Sequence, residues 1–355
     1  MRALLLLFLA LLGGCAQLAY YNQALQGQSD LLARRRHLDL VLAETGDGEL
    51  RARLDKARDM RDYASRALAL PANGSYTGYA DLGRPWVVLN VFATPELSLQ
   101  PRRWCFPIVG CLDYRGYFRR DYAERLAAEL RAQGYDVWLG PVPAYSSLGW
   151  FDDPLLNTFI RWDDGRLAEL LFHELAHQRY YLAGDTEFNE AYASAVGRLG
   201  ARRWLAERGT AEERQRYELF LQRQRQFLTL VLQARERLQA LYASALPEAE
   251  KRAGKARVLE QLRARYRGLR DTEWGGFAGY DPWFERDLNN AKLAAVVTYE
   301  RYVPAFEALF RAQGEDFRRF HQAVEALGAL LSRAAPPGDS GRNDGVRPGR
   351  ADAAP

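Results

Sequence analysis

The sequence lacks a long apolar run, an excess of charge of one sign and the surroundings of a serine nucleophile. Its first apolar run, over 3–12, is too short to cross a bilayer as a helix. A net charge of +4 over 355 residues, with Arg interleaved among Asp and Glu, does not predict binding to nucleic acid. No Gly-x-Ser-x-Gly motif surrounds Ser146 or Ser147, which argues against a serine hydrolase.

The amino terminus is typical of an exported bacterial protein. The apolar run over 3–12 is followed by two glycines and Cys15, which resembles a lipoprotein signal sequence over 1–14. By that resemblance, Cys15 becomes the lipid-modified first residue of the mature chain and anchors it at the periplasmic face of the cell envelope. Ala16 in place of Asp favours the outer membrane. The alternative is an ordinary cleaved signal peptide with an incidental cysteine.

Two further cysteines, Cys105 and Cys111, lie on either side of a short segment that contains Pro and Gly. In an oxidising compartment, such an even pair predicts a disulfide that closes a small loop. Two free, buried thiols are the alternative. The pair alone does not predict a zinc site, because it supplies only two soft ligands.

Hydrophobic periodicity predicts an α+β protein that is predominantly α-helical. β-Branched and aromatic runs over 86–92, 112–118 and 135–139 predict strands, and a helix is expected over 121–133. From residue 167 onward, apolar residues recur at helical spacing, with a break rich in Gly, Trp and Tyr over 272–283. The helices predicted in this half cover 167–182, 187–208, 211–245, 248–269, 288–313 and 316–333.

The segment His173-Glu174-Leu175-Ala176-His177 carries the clearest chemistry in the sequence. In an α-helix, His173 and His177 lie one turn apart on the same face, so both imidazoles can reach one metal ion. Zinc binds imidazole nitrogen at about 2.0–2.1 Å, and two such ligands leave places for a third protein ligand and a water. Glu174 would accept a proton from that water as general base and pass a proton to the leaving amine.

Only four histidines occur in the chain, so this spacing seldom arises by chance. The alternative interpretation is an amphipathic helix with paired surface or core histidines. The two histidines outside the motif, His37 and His321, lie in Arg-rich helical contexts, which predicts plain surface positions.

The segment after the motif predicts the third metal ligand. Gly184-Asp185 ends the first helix, so the next helix can return across the site with Glu190 near its start. Asn189-Glu190 with a small residue three positions beyond resembles the third-ligand helix of glutamate zincins, which favours Glu190 over Glu187. Asp185, at the turn itself, is the weaker alternative.

The developing oxyanion of a substrate needs a donor besides zinc. Tyr299 on a late helix and Tyr145 just ahead of the motif are the main candidates, and Tyr302 is another. For each tyrosine, core packing or an interface hydrogen bond is the alternative. The segment 144–154 is interpreted either as an edge strand that binds peptide backbone by strand addition or as a structural turn.

Several short motifs occur in an order that matches a known family. They are Trp104-Cys105-Phe106-Pro107, Tyr114-Arg115-Gly116-Tyr117-Phe118, Phe172-His173-Glu174-Leu175-Ala176-His177-Gln178, Phe188-Asn189-Glu190 and Leu288-Asn289-Asn290-Ala291. With these motifs the chain resembles a zinc aminopeptidase family of Gram-negative bacteria, from Cys15 to about residue 333. The resemblance implies one zinc ion per chain, peptidase chemistry and a site at the cell envelope.

We therefore expect a zinc metallopeptidase, in particular an aminopeptidase, that acts on peptides and binds no nucleic acid. Two alternatives stay open: a non-catalytic envelope scaffold or binding protein with a zinc-stabilised core, and a metal-dependent amidase that acts on peptidoglycan fragments. A substrate cleft is expected between the α/β unit and the helical half. The expected parts are a signal sequence (1–14), an N-terminal helical pair (15–70), a small mixed α/β unit (71–165), a helical zincin-type catalytic region (166–333) and a disordered tail (334–355).

Overall fold

The chain is an α+β protein in which α-helix predominates, and this confirms the predicted fold class. No helix in the described part of the chain is both long and apolar enough to cross a membrane. For residues 2–16 and 334, the backbone alone is described. The computed structural model describes residues 2–106, 110–144, 147–286, 288–296 and 302–334.

The amino-terminal segment forms three helices and a short strand, where the sequence analysis expected two helices. The strand arises because Arg36 and His37 pair with Tyr79 and Gly78, a long-range contact that local periodicity does not reveal. His37 is exposed, and its Nδ1 accepts a hydrogen bond from the backbone N–H of Asp39 at 3.4 Å. The elements are α1 (Arg2–Arg34), β1 (Arg36–His37), α2 (Leu38–Glu44) and α3 (Gly48–Ala67).

The α/β unit consists of short strands around one helix. In its main sheet, the central strand pairs antiparallel with a strand on either side, in the order β6-β3-β7. The strand β2 lies between β1 and β8 in a second sheet, and β4 pairs with β5. The elements are β2 (Gly78–Ala80), β3 (Val88–Pro95), β4 (Trp104–Phe106), β5 (Gly110–Leu112), β6 (Arg115–Tyr117), α4 (Arg120–Ala132), β7 (Tyr135–Val142) and β8 (Leu155–Leu156).

Alternation along β3 gives the main sheet one buried face. Leu89, Val91 and Ala93 are buried in a cluster with residues of α4, because side chains in a strand alternate between its two faces. On the other face, the rings of Phe92 and Trp138 stack with centroids 5.4 Å apart. The β4–β5 hairpin places Cys105 opposite Cys111, and a disulfide joins the two residues.

The rest of the described chain is helical. The predicted helix over 288–313 is divided in the structure, because Asn289 caps one short helix and a proline begins the next. Residues 297–301, between these two helices, lie outside the described part. The elements are α5 (Asp164–Arg179), α6 (Thr186–Arg208), α7 (Ala211–Ala243), α8 (Glu248–Thr272), α9 (Asp281–Glu285), α10 (Asn290–Ala295), α11 (Val303–Ala312) and α12 (Phe317–Ala334).

Helices α5 and α6 pack closely at the centre of the main hydrophobic core. Two glycines of α6 permit this approach: a Cβ at Gly197 would lie 2.7 Å from the carbonyl oxygen of Glu169, and one at Gly200 would meet Leu68 and Phe172. The α7–α8 hairpin builds a second hydrophobic cluster together with α9 and α10. The close pairing of α5 with α6 brings the start of α6 beside the middle of α5.

The predicted surface position of His321 is wrong. This residue of α12 is fully buried, and its Nε2–H donates to the carbonyl oxygen of Leu68 at 2.8 Å. Its Nδ1 therefore accepts from the hydroxyl of Tyr192 on α6, at 2.9 Å. Burial lowers the pKa of His321 to about 4, so the imidazole is neutral at pH 7.

Candidate metal centre

Helix α5 begins at a well-fixed amino terminus. The carboxylate of Asp163 accepts the backbone N–H of Arg166 as an N-cap, and buried Asp164 pairs with Arg53 and Lys56 of α3. Leu167, Leu171 and Leu175, at helical spacing, are fully buried. These contacts fix the rotation of α5 and therefore the direction of the face that carries His173 and His177.

The turn between α5 and α6 directs Glu190 toward the two histidines. Asp185 caps α6, because its carboxylate accepts the backbone N–H of Phe188 at 2.9 Å. The buried amide of Asn189 bonds both backbone groups of Leu182, at 2.7 Å and 2.8 Å. These two hydrogen bonds hold the turn between α5 and α6, and Glu190 lies on the face of α6 that contacts α5. Asp185, engaged as a cap, does not join the cluster.

The three side chains converge on one point. The Nε2 atoms of His173 and His177 lie 3.1 Å apart, and Glu190 Oε2 lies 3.4 Å from His173 Nε2. Glu190 Oε1 lies 3.7 Å from His177 Nε2. Ligands at about 2.0–2.1 Å from a tetrahedral zinc ion are separated by about 3.3–3.4 Å, so this spacing and this nitrogen–oxygen donor set fit zinc.

Electrostatics couple the same three groups. Burial raises the pKa of Glu190, but the hydrogen bonds and charges of His173 and His177 outweigh burial and hold it well below its usual range. Burial lowers the pKa of His173, while the hydrogen bond to Glu190 and the carboxylates of Glu174 and Glu190 raise it above the ordinary value. The carboxylate of Glu190 is therefore ionised at neutral pH, as a metal ligand must be.

Glu174 is buried on α5, with 8% of its surface exposed. Two groups that the sequence analysis did not single out lie close enough to interact with its charge. Burial raises the pKa of Tyr76, and the carboxylates of Glu174 and Asp153 raise it further. Burial raises the pKa of Asp153 to about 6, against the opposing hydrogen bond from Ser147. Tyr76 adopts a φ of 63°, which is unusual for a bulky residue.

The other predicted site residues have different outcomes. Tyr145 and Tyr299 lie outside the described residues, and Tyr302 is 40% exposed at the start of α11. Residues 147–154 form turns and extended coil, and this described stretch contains no edge strand. The side chain of Cys15 is not among those described.

A cavity of about 300 Å3 opens directly from the cluster. Its described lining belongs entirely to the helical half. Burial raises the pKa of Tyr114 in the α/β unit, and Glu190 lies near enough for its charge to raise that pKa further. The cavity is lined by His173, Glu190, Ser194, Gln224, Phe227, Leu228, Tyr280 and Val296.

A polar network connects the cavity wall with α5. Glu169 accepts from the hydroxyl of Tyr217 at 3.0 Å and pairs with Arg198 Nε at 3.5 Å. Arg198 also donates to Gln224 Oε1 at 3.2 Å. Gln224 and Arg198 could not be found from the sequence, since no local pattern connects them with His173. Asn189 carries a weak sequence signal, because it is a polar residue directly before the predicted ligand Glu190.

Comparison with known proteins supports peptidase activity for this chain. A family model with the description "Putative aminopeptidase" matches residues 19–335, which is most of the sequence. No curated protein and no solved structure matches the chain. A match of this extent, which includes His173, His177 and Glu190, shows that the chain belongs to this aminopeptidase family.

Proposed function

We propose that the protein is a zinc-dependent aminopeptidase of the zincin type, with one zinc ion held by His173, His177 and Glu190. The observation that carries this proposal is the convergence of two imidazole nitrogens and one carboxylate within 4.8 Å of one another. Among the described residues, this is the one group of His, Cys, Asp and Glu side chains placed closely enough to hold a metal ion.

Each residue of the motif then has a separate task. When bound, zinc supplies Lewis-acid polarisation of the scissile carbonyl and of the attacking water. Glu174 follows the first ligand and is not among the three converging side chains, which supports the proposal that it accepts the proton of the attacking water. It then returns a proton to the nitrogen of the leaving amine. Its burial beside Tyr76 and Asp153 restricts the orientations that the carboxylate can adopt.

The location at the cell envelope is a second part of the proposal. The signal-like sequence before Cys15 supports lipid attachment at that residue and anchorage at the periplasmic face, at the outer membrane. The partners are then a peptide substrate and a membrane lipid, with no role for nucleic acid.

Metal content tests the centre directly. We expect about one zinc per chain by elemental analysis of the purified protein, and a strongly reduced content in His173→Ala and Glu190→Ala. The control is Glu187→Ala, which removes a carboxylate from the same helix one turn earlier and should retain the metal. Folded protein that takes up no zinc when zinc is offered would rule out the proposal.

Turnover separates the remaining alternatives. Zinc-loaded protein should release the amino-terminal residue of short peptides. Turnover of peptidoglycan fragments without turnover of any peptide would favour the amidase. Zinc binding without turnover of either substrate class would favour a scaffold with a zinc-stabilised core.

A further inference from the structure

We propose that the cavity beside His173 and Glu190 is a subsite for one bulky apolar side chain, and that Phe227 and Leu228 set this preference. The side chain would belong to the amino-terminal residue of a short peptide. This inference rests on the proposed function, because the subsite opens from two of the proposed zinc ligands. A substrate carbonyl placed at those ligands would direct its neighbouring side chain into the cavity.

The described lining has a polar part and an apolar part. The polar part consists of His173, Glu190, Ser194 and Gln224, and the apolar part consists of Phe227, Leu228, Tyr280 and Val296. In the described lining, Glu190 is the single carboxylate, and its charge is directed at the histidines. A cationic side chain would therefore find no separate counter-charge on these residues, whereas an aliphatic or aromatic one would exchange water for apolar contact.

The apolar wall is braced from behind. Phe227 is 7% exposed, and its ring stacks on Tyr280 with centroids 4.5 Å apart and an interplanar angle of 20°. Trp283 meets the same ring edge-on, with centroids 4.9 Å apart. Aromatic contacts hold this wall in one shape when no ligand is present. Binding therefore costs little conformational entropy in the lining side chains.

Gln224 completes the polar end of the subsite. Arg198 can only donate hydrogen bonds, so the contact at 3.2 Å assigns the oxygen of the Gln224 amide to Arg198. The NH2 group of the amide is then the end that can donate to a substrate carbonyl. This arrangement would align the peptide backbone while its side chain enters the apolar part.

The size of the cavity limits the substrate. At about 300 Å3, it lies at the lower end of the range for small-molecule sites and holds one large side chain rather than an extended chain. Leucine or phenylalanine at the amino terminus should therefore be preferred to glycine by about tenfold to a hundredfold in kcat/KM.

The test uses the full zinc-loaded chain and two readouts. The first is kcat/KM for the glycyl, alanyl, leucyl, phenylalanyl and lysyl p-nitroanilides. The second is the Kd of glycine, leucine and phenylalanine hydroxamates, which bind without being cleaved. The expected order of preference is the same in both readouts, with leucine and phenylalanine first.

The variant Leu228→Trp fills the cavity and should reduce the leucine-to-glycine ratio of kcat/KM to about one. The control Leu232→Trp changes an exposed leucine one turn later on α7, outside the described lining, and should keep the ratio.

The outcomes separate this inference from the proposed function. Equal kcat/KM for glycyl and leucyl substrates would overturn the subsite and leave the peptidase intact. If the protein shows no turnover but binds leucine hydroxamate more tightly than glycine hydroxamate, the subsite is supported and peptidase activity is excluded. If the protein shows no turnover and no binding preference, both the subsite and the proposed function are overturned. If Leu228→Trp does not fold, Val296→Phe fills the cavity from another wall, and retention of the preference there also overturns the subsite.

Discussion

Helix α6 contributes one residue to each of two histidine sites, and the two sites differ in almost every physical respect. At the start of the helix, Glu190 meets His173 and His177 beside an open cavity, and the pKa of His173 is raised. Further along, Tyr192 meets His321 in the sealed core, where burial lowers the pKa of His321 to about 4. The first site gathers groups that can share a cation, whereas the second satisfies each nitrogen with one hydrogen bond.

The comparison teaches that the surroundings of an imidazole decide its role. His321 has a donor and an acceptor in fixed positions, so it is a neutral structural element that ties α12 to α6 and to the end of α3. His173 and His177 direct their Nε2 atoms at each other and at the carboxylate of Glu190, so one cation could contact all three groups. Changes at the two sites should therefore affect different measurements.

The largest expected effect is on turnover, in Glu174→Gln. Loss of the general base should lower kcat/KM by about a hundredfold to ten thousandfold, because the amide cannot accept the proton of the attacking water. Zinc content should stay at that of the unchanged protein, since Glu174 is not a ligand. Steady-state kinetics and elemental analysis on the same preparation check both expectations. Loss of zinc together with activity would contradict the assigned role.

The next effect is on stability, in His321→Ala. The change leaves a cavity in the core and removes the partners of the Tyr192 hydroxyl and the Leu68 carbonyl, so the free energy of unfolding should fall by about 3 kcal/mol. Urea unfolding at pH 7 measures it. Zinc content should remain unchanged. If His321→Ala keeps its stability but loses zinc, His321 belongs functionally to the metal centre rather than to the core.

A smaller effect is the change in the free energy of unfolding with pH that His321 causes. Because the pKa of His321 falls to about 4 in the folded state from about 6.5 in the unfolded chain, the unfolded state binds more protons between these values. Stability contributed by neutral His321 is thus complete above about pH 6.5 and is lost as the pH falls toward 4. Between pH 7 and pH 5, the loss should be about 2 kcal/mol.

The measurement is the difference in unfolding free energy between the unchanged protein and His321→Gln. This difference is needed because the raised pKa of Asp153, about 6, gives a slope of opposite sign between about pH 4 and pH 6. Subtracting the variant cancels the contribution of Asp153. A difference that stays constant over this range would show that His321 does not resist protonation.

The smallest effect is on substrate affinity, in Gln224→Ala. Loss of one hydrogen bond to the substrate backbone should raise KM by about fivefold to tenfold, and loss of the acceptor for Arg198 should lower the free energy of unfolding by about 1 kcal/mol. The control is Gln222→Ala, an exposed glutamine on the same helix. Equal KM values for the two variants would exclude Gln224 from the substrate site.

The sequence alone was sufficient for the fold class and for the grouping of His173, His177 and Glu190. These residues are close in the chain, and a four-residue helical spacing with a short turn determines their geometry. Gln224, Phe227 and Tyr280 could not be predicted, because they reach the cavity only through the packing of α7 and the segment before α9. The spacing of residues in the sequence does not predict that packing.

The error at His321 has a different cause. Neighbouring Arg318 and Arg319 suggested a surface position, yet Phe317, Phe320 and Val324 recur at helical spacing and are buried. His321 lies on that apolar stripe. The face of a helix, rather than its average composition, therefore predicts the environment of a histidine.

One glycine links the spacing of two helices to metal affinity. A Cβ at Gly197 would meet the carbonyl oxygen of Glu169 at 2.7 Å and His173 Cβ at 3.3 Å. Any side chain there must push α6 away from α5, and Glu190 would move with α6 while both histidines remain on α5. Under the proposed function, the strength of zinc binding would thus depend partly on the absence of a methyl group at Gly197, two turns from Glu190. A designed helical pair that carries the same three side chains would need the same interaxial distance as well.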